Sequence, residues 1–274
     1  MTAKLFIQAG LRNGVTYLKQ SYATPPFKVA DITEFKKENW LHLMLMCSSP
    51  GILDEDRHEI KIELEENCRM QLDTQSYQRL FNMKKGAIQQ TEIFLKKNSS
   101  FFYLPHPIVP HENSIFSVHN KIHLSDQSVL AIGEVLSCGR KQNGEIFKFT
   151  SYHSLNEIFK NGKLVVKENL LIRPASKDVL SIGQLEGFTH QASLLYLDDN
   201  YQAGAITQQL HDCLNAEHGI IFGITAAPIN GIVVRILGNH AEQLHNCLKE
   251  IARQLQIHSI QKSHYPIKSL ISLL

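Results

Sequence analysis

Residues 48–66 read SSPGILDEDRHEIKIELEE and join two segments in which apolar and polar residues alternate. The alternating apolar residues on the two sides are Leu41, Leu43, Leu45, Ile60, Ile62 and Leu64. Alternation with a period of two is typical of β-strands that bury one face. The stretch therefore predicts two strands joined at a corner.

The corner itself carries three consecutive acids, Asp54, Glu55 and Asp56, which are followed by Arg57. An acidic cluster at such a corner is either a solvated loop or a site that handles cations. The sequence of the corner does not decide between these two interpretations.

Most of the chain from residue 4 to residue 173 continues the strand pattern. The predicted strands are Lys4–Ala9, Val15–Ser21, Phe27–Ile32, Trp40–Cys47, His58–Glu65, Cys68–Thr74, Gln90–Lys96, Phe101–Leu104, Asn113–Val118, Lys121–Ser125, Val129–Cys138, Ile146–Phe159 and Lys163–Ile172. Asn161-Gly162 is a strong hairpin signal between two of them, and Asn143-Gly144 is nearly as strong. Many short strands predict a sandwich or stacked sheets. Because the chain has no strict repeat, the pattern alone does not identify a β-helix.

Residues 199–274 predict a different, α/β region with two helices. The predicted elements are a helix over Asn200–Ala216, strands over Gly219–Ile224 and Gly231–Leu237, and a helix from Asn239 to about residue 256. Asn239 followed by Glu242 is typical of a helix N-terminal capping box. We expect one unit over residues 1–274, in which this region packs on a β-rich body of residues 1–198.

The composition is that of a soluble globular protein, with 43% hydrophobic residues and a formal net charge of +2. This balanced charge gives no indication of nucleic-acid binding. No apolar run approaches the ~18 residues of a membrane span, and the first residues do not resemble a secretory signal. The five cysteines are scattered without a C-x-x-C pair, which argues against a disulfide framework or a zinc ribbon. We therefore expect a cytoplasmic protein that binds neither nucleic acid nor membrane.

Common catalytic motifs are missing from the sequence. It contains no G-x-x-x-x-G-K-[ST] phosphate loop, no G-x-S-x-G nucleophile elbow and no H-E-x-x-H metal motif. The chain therefore does not resemble a conventional enzyme.

Glu134 stands out because it interrupts an apolar run, VLAIGEVLSC, at residues 129–138. A carboxylate in an apolar strand costs free energy unless it is paired or hydrated. One interpretation is an internal ion pair, for which Arg140 is the candidate partner. The other is a carboxylate that faces a wet internal passage, where oxygen donors suit transient handling of a divalent cation.

Four stretches together resemble the UreD (also UreH) family of urease accessory proteins. They are Thr24-Pro25-Pro26-Phe27-Lys28, the corner from Ser49-Pro50-Gly51 to Asp56-Arg57, Thr74-Gln75-Ser76-Tyr77-Gln78-Arg79-Leu80, and Glu134 to Gly139-Arg140 with Gly144-Glu145-Ile146-Phe147. Their order and spacing agree with the family, and the resemblance covers residues 20–260.

The chain departs from the family pattern at several positions. Asp54 and Glu55 stand where members often have glycine, and Glu112 stands where many have aspartate. Pro107 occupies the position of an acid that usually follows the motif LPQ.

The resemblance implies a layered or helically wound β body with two helices near the C-terminus. It also implies a non-catalytic scaffold that binds the urease apoprotein and the accessory protein UreF, which recruits the GTPase UreG. In this family an internal tunnel is the suggested nickel route. For this chain the resemblance thus implies transient nickel(II) and no tightly bound cofactor.

We expect the following residues to line or gate such a passage: Asp56, Glu112 and Glu134, with Asp54 and Glu55 as weaker candidates. Arg140 is expected to position Glu134, and Arg57 and Gly139 are expected to support the local structure.

Two alternatives remain open at this stage. One is a β-helix or sandwich enzyme that cleaves a sugar polymer with paired carboxylates, although Trp40 is the only tryptophan of the chain. The other is a protein-interaction module that is unrelated to metal.

Overall fold

The computed structural model describes residues 2–34, 39–201 and 204–263. In chain order its strands are β1 (Thr2–Arg12), β2 (Val15–Ala23), β3 (Phe27–Asp31), β4 (Leu41–Cys47), β5 (Arg57–Leu64), β6 (Arg69–Thr74), β7 (Gln78–Leu80), β8 (Ala87–Leu95), β9 (Ser100–Tyr103), β10 (Ile108–Pro110), β11 (Ile115–Leu124), β12 (Val129–Ser137), β13 (Ser151–Lys160), β14 (Lys163–Ile172), β15 (His190–Asp198), β16 (Ile221–Ala226) and β17 (Gly231–Gly238). The α-helices are α1 (Ala205–Asn215) and α2 (Ala241–Ser263). The protein is mainly β with a small helical C-terminal region, as the sequence predicts.

The strands form two sheets between which the chain alternates. One sheet has the order β14-β13-β11-β8-β5-β1-β2, and the path through the other is β16-β17-β15-β12-β9-β6-β4-β3. Within the first sheet β1, β5, β8, β11 and β13 pair in parallel, and within the second β4, β6, β9 and β12 do so. The chain therefore crosses from one sheet to the other at each step from β4 to β6. It does so again from β8 to β13, except that β9 and β10 both belong to the second sheet. The body is a layered coil, as the resemblance implies.

Antiparallel strands close this coil at its ends. The predicted hairpin at Asn161-Gly162 is confirmed, because it joins the antiparallel strands β13 and β14 and both turn residues have positive φ angles, of 49° and 78°. The hairpin prediction at Asn143-Gly144 is wrong. The strands on its two sides, β12 and β13, belong to different sheets, and residues 141–143 form a 3-10 turn.

The helix–strand–strand–helix order of the C-terminal region is confirmed. Its strands β16 and β17 extend the second sheet through β15, and α2 packs on β12, β15 and β17. The predicted capping box is wrong. Asn239 Oδ1 instead accepts hydrogen bonds from the Thr189 backbone and hydroxyl, while Glu242 Oε2 accepts one from the Tyr77 hydroxyl.

Several strand boundaries also differ from prediction. Residues 113–118 and 121–125 belong mostly to a single strand, β11, and β13 begins at Ser151 rather than near residue 146. Strand β15, at His190–Asp198, was not predicted. In β11 the two predicted pieces fuse because residues 116–124 all pair in register with β8.

Three apolar clusters hold the layers together. Two lie between the sheets, one around Leu5, Ile62 and Ile122 and the other around Phe116 and Tyr152. The third joins the outer face of the second sheet to α1 and α2. Neither helix of the described chain is both long enough and apolar enough to span a lipid bilayer.

Candidate functional site

A polar layer separates the two apolar clusters between the sheets. Along β11 the inward positions are Val118, then Asn120, then Ile122, so that an amide lies between one cluster and the other. Along β12 Glu134 takes the same place between Ile132 and Leu136. Because the parallel strands are in register, inward polar residues of several strands meet at one level of the coil.

These residues line an internal cavity of about 40 Å³. Its polar wall consists of Gln78, Gln89, Tyr103, Asn120, Glu134, Asn156, Glu168 and Ser193. We call it the inner cavity. Asn120 and Asn156 are direct neighbours on β11 and β13, and Asn120 Nδ2 donates a hydrogen bond of 2.7 Å to Asn156 Oδ1.

Glu134 is the central carboxylate of the inner cavity. Its Oε2 accepts a 2.9 Å hydrogen bond from the Ser154 hydroxyl. The Tyr152 hydroxyl faces the same carboxylate without meeting hydrogen-bond geometry. Burial raises the pKa of Glu134, the neighbouring hydroxyls oppose this shift, and the charge of Glu168 adds to it.

The expected ion pair between Arg140 and Glu134 is wrong. Arg140 Nε lies 2.8 Å from Glu145 Oε2, and its Nη2 contacts Glu145 Oε1, which makes a two-point pair. Glu145 Oε2 also accepts a 3.2 Å hydrogen bond from the backbone N–H of Glu112. The resulting unit stabilises the surface loops and leaves Glu134 without this guanidinium.

Gly139 lies where the backbone leaves no room for a side chain. Its φ is +121°, and a Cβ at this position would lie 2.8 Å from the Glu145 carbonyl oxygen and 2.9 Å from that of Pro110. Only glycine fits a backbone approach of this kind without strain.

Glu168 is the carboxylate of the inner cavity that the sequence analysis missed. It lies on β14, lines the inner cavity with Glu134, and its Oε1 lies 3.3 Å from Nη2 of the largely exposed Arg235. The inner cavity therefore reaches the surface region at the β14 edge. The alternation of β14 could have predicted this position, because Glu168 lies on the same face of the strand as the buried Val166 and Ile172.

A second cavity, of about 90 Å³, adjoins the first. The two share Gln78, Gln89, Tyr103 and Pro105 as lining residues. We call the second one the outer cavity, because its wall includes the exposed Cys47. We call these two adjoining cavities together the polar passage; both lie between the sheets, with Glu168 in the wall of one and Cys47 in the wall of the other. At their shared wall Gln78 Nε2 donates a 3.4 Å hydrogen bond to Gln89 Oε1.

Several buried polar atoms lack a hydrogen-bond partner within the described chain. They include His58 Nδ1, in the wall of the outer cavity, and Thr91 Oγ1 and the Tyr152 hydroxyl, which line neither cavity. Buried polar groups normally find a partner in protein or water. The free His58 nitrogen therefore favours bound water in the outer cavity over a packed, dry interior.

The passage is not a closed metal centre. Among the residues that the structure describes, no group of three or more histidine, cysteine, aspartate or glutamate side chains is arranged to hold a metal ion. Structural metal sites in proteins commonly need about four such ligands. The lining thus offers single oxygen donors one after another.

The three carboxylates of the acidic corner line neither cavity. Asp54 Oδ1 accepts hydrogen bonds from the backbone N–H groups of Gly86 (2.8 Å) and Lys85 (2.9 Å), which lower the pKa of its carboxyl. Asp56 Oδ2 accepts one of 2.9 Å from the N–H of Leu53, and Glu55 pairs with Lys85 at 2.5 Å. The carboxylates of the corner are therefore engaged by backbone N–H groups and a lysine of the loops at residues 53–56 and 85–86.

The other expected residues are also at the surface. Glu55, Asp56 and Arg57 line an open groove, and none of the three lines either cavity. Glu112 is exposed. Of the five carboxylates expected along the passage, the structure places Glu134 alone in it, and Glu168 joins it there.

Comparison with known proteins identifies the family. A family model described as UreD urease accessory protein matches residues 1–268. A urease accessory protein UreD of Flavobacterium johnsoniae is 47% identical over 258 residues, which cover 94% of this chain and 93% of that protein. A urease accessory protein UreD of Haemophilus influenzae is 35% identical over 269 residues, which cover 93% of this chain and 99% of that protein. One of Acetivibrio thermocellus is 34% identical over 250 residues, which cover 91% of this chain and 95% of that protein. The chain therefore belongs to the UreD family of urease accessory proteins.

Proposed function

We propose that this protein is a non-catalytic, cytoplasmic chaperone for urease maturation, which conducts nickel(II) through the polar passage. It docks on the urease apoprotein and on UreF, and UreF brings the GTPase UreG. Family membership supports the role in urease maturation. The observation that carries the nickel route is the layer around Glu134, which crosses an otherwise apolar interior.

The cost of this layer supports a function for it. Burying a carboxylate without a positively charged partner is unfavourable, and no lysine or arginine of the described residues forms a salt bridge with Glu134. An apolar residue at this position would join the two neighbouring clusters into one core. The chain instead keeps a carboxylate at the centre of its β body.

The size of the passage fits a partly dehydrated ion. A cavity of about 40 Å³ has room for a few water molecules at most, so a divalent cation cannot keep its full hydration shell there. The oxygens of Glu134, Glu168 and Asn156 line this cavity and can replace lost water ligands, as oxygen donors do in ion-selective pores. Because the donors are few at any one point, the ion is not trapped.

The test is the Glu134→Gln variant, which keeps the shape of the side chain and removes its charge. Urease activity is measured after co-expression with the urease subunits and the other accessory proteins in nickel-containing medium. We expect most of the activation to be lost, while pull-down of UreF and urease is retained. The matched control is Glu59→Gln, an exposed residue that pairs with Lys4 at 3.1 Å, for which activation should stay normal.

Other outcomes separate the alternatives. Full activation by Glu134→Gln would remove the carboxylate from the mechanism and favour an interaction module that is unrelated to metal. Loss of the partner complex in the variant would point to a structural role for Glu134.

A further inference from the structure

The outer cavity contains three side chains of the metal-ligand type that the proposed passage does not yet use, Cys47, His58 and His106. Cys47 and His58 come from the end of β4 and the start of β5, on the two sides of the corner at residues 48–66. The two strands belong to different sheets, so that Cys47 and His58 line the cavity between the sheets from its two sides.

His58 is an unusual residue for the inside of a β body. Its side chain is 5% exposed, and its Nδ1 has no hydrogen-bond partner among the described residues. Its ring packs edge-on against Phe27, with the ring centroids 4.9 Å apart. Burial lowers the pKa of His58, so the ring is neutral at physiological pH, which is the form that coordinates a metal.

Cys47 is the exposed cysteine of the described chain and stands at the outer end of the same cavity. Its partial burial raises the pKa of the thiol, which is therefore protonated at neutral pH when no metal is present. A protonated thiol must lose its proton to bind a metal, and this requirement weakens binding.

His106 also lines the outer cavity. Its Nδ1 lies 3.2 Å from the Thr74 hydroxyl, and its backbone N–H donates to the same oxygen at 2.7 Å. His58 differs in that its Nδ1 has no hydrogen-bond partner among the described residues, which makes it the histidine of this cavity with a ring nitrogen still to be satisfied.

We propose that Cys47 and His58 form a transient nickel(II) station at the outer end of the passage. The inference rests on the proposed function and adds an end of mixed sulfur and nitrogen donors to a route otherwise lined by oxygen. When the ion binds, the S–H bond of Cys47 breaks, a bond from Sγ to nickel forms, and the proton passes to water. No electron is transferred, and His58 donates a nitrogen lone pair while solvent fills the remaining positions.

The station explains how a narrow polar passage can prefer a transition metal to the more abundant magnesium. Imidazole and thiolate ligands suit nickel, whereas magnesium favours oxygen donors. Two protein ligands are fewer than a storage site needs. The ion is therefore selected at the outer cavity and can still leave it toward the inner cavity.

The experiment measures alkylation of individual cysteines by iodoacetamide in the purified full-length chain, with and without nickel(II) chloride, by mass spectrometry. A bound ion protects the thiol by a factor of 1 + [L]/Kd, so alkylation of Cys47 should slow by about tenfold when nickel is at about ten times its Kd. Cys213, which is half-buried on α1, is the internal control and should react at the same rate throughout. Magnesium chloride at the same concentration should protect neither cysteine.

Two variants sharpen the result. His58→Gln should lose most of the nickel protection of Cys47, whereas His42→Gln, on the outward face of β4, should keep it. The alkylation rate without nickel and the circular dichroism spectrum report whether each variant is folded. The wild-type measurement stands even if a variant fails to fold.

Equal alkylation of wild-type Cys47 with and without nickel would overturn the station, as would equal protection of Cys213 or full protection in a folded His58→Gln variant. This failure is distinct from that of the proposed function. If Cys47 is not protected but Glu134→Gln still abolishes urease activation, the passage stands and the station does not.

Discussion

The acidic corner and the polar layer both contain carboxylates in a β framework, yet their partners differ. Asp54 accepts two hydrogen bonds from backbone N–H groups, and Glu55 pairs with Lys85. Glu134 has a hydroxyl for its partner and a second carboxylate, Glu168, across the same cavity. The partners of a carboxylate decide whether it stabilises a loop or remains available to a ligand. Its presence in an acidic motif does not decide this.

The largest effect is expected when the asparagine pair of the polar layer is replaced. Asn120→Leu combined with Asn156→Leu replaces both members of a hydrogen-bonded pair by apolar groups. Such a replacement is nearly neutral or stabilising, so the free energy of unfolding should hold or rise while urease activation is lost. Urea denaturation of the purified chain and urease activity after co-expression provide the two measurements.

The single variant is the control for this pair. Asn120→Leu alone leaves the Asn156 side chain without its donor and should lower the free energy of unfolding by about 1–3 kcal/mol. A double variant that is both stable and active would show that the layer is not the route of the ion.

A smaller effect is expected at the corner. Asp54→Ala removes the acceptor of two backbone N–H groups and should lower the midpoint of urea denaturation, because the loop of Gly86 loses its anchor. Urease activation should fall only as far as the folded fraction falls. A complete loss of activation at normal stability would return the corner to the list of metal-handling sites.

The smallest expected effect concerns pH. Glu134 and Asp54 should contribute to the free energy of unfolding with opposite dependences on pH. Glu134 has a raised pKa in the folded protein, so its charge increasingly opposes folding as the pH rises above the unfolded value of about 4.3. Asp54 has a lowered pKa, so its stabilising contribution is complete above the unfolded value of about 3.9 and is lost as the pH falls below it.

Denaturation midpoints between about pH 3 and pH 7 test both signs. As the pH rises, the denaturation midpoint of Glu134→Gln should increase relative to that of the wild type. The midpoint of Asp54→Asn should decrease relative to that of the wild type over the same range. Parallel curves for the two variants would contradict the difference between corner and interior.

The candidate site was only partly predictable. Glu134 could be selected from the sequence because one charged residue interrupts an apolar strand. Gly139 could be selected because it belongs to a short motif. Asp56 and Glu112 were expected in the passage but lie at the surface. Their acidity is plain in the sequence, but the backbone groups that surround them are not.

Glu168 and the pair of Asn120 and Asn156 were missed for a different reason. Each lies in a strand whose residues look ordinary, and polar side chains in a strand are usually taken to face solvent. Their inward direction follows from the phase of β11, β13 and β14 against the sheets. A one-residue shift of that phase would move them to the outer face.

The strand-rich body, the two C-terminal helices and the family resemblance could all be predicted from the sequence, because alternation, turn residues and short motifs are local properties. Which polar residues meet in the interior depends on the packing of distant strands. Parallel register brings together residues that are far apart in the chain, such as Asn120 and Asn156, which are separated by 36 positions, and this alignment depends on how the coils stack. The passage between the sheets is therefore a property of the stacked coils, which no single strand contains.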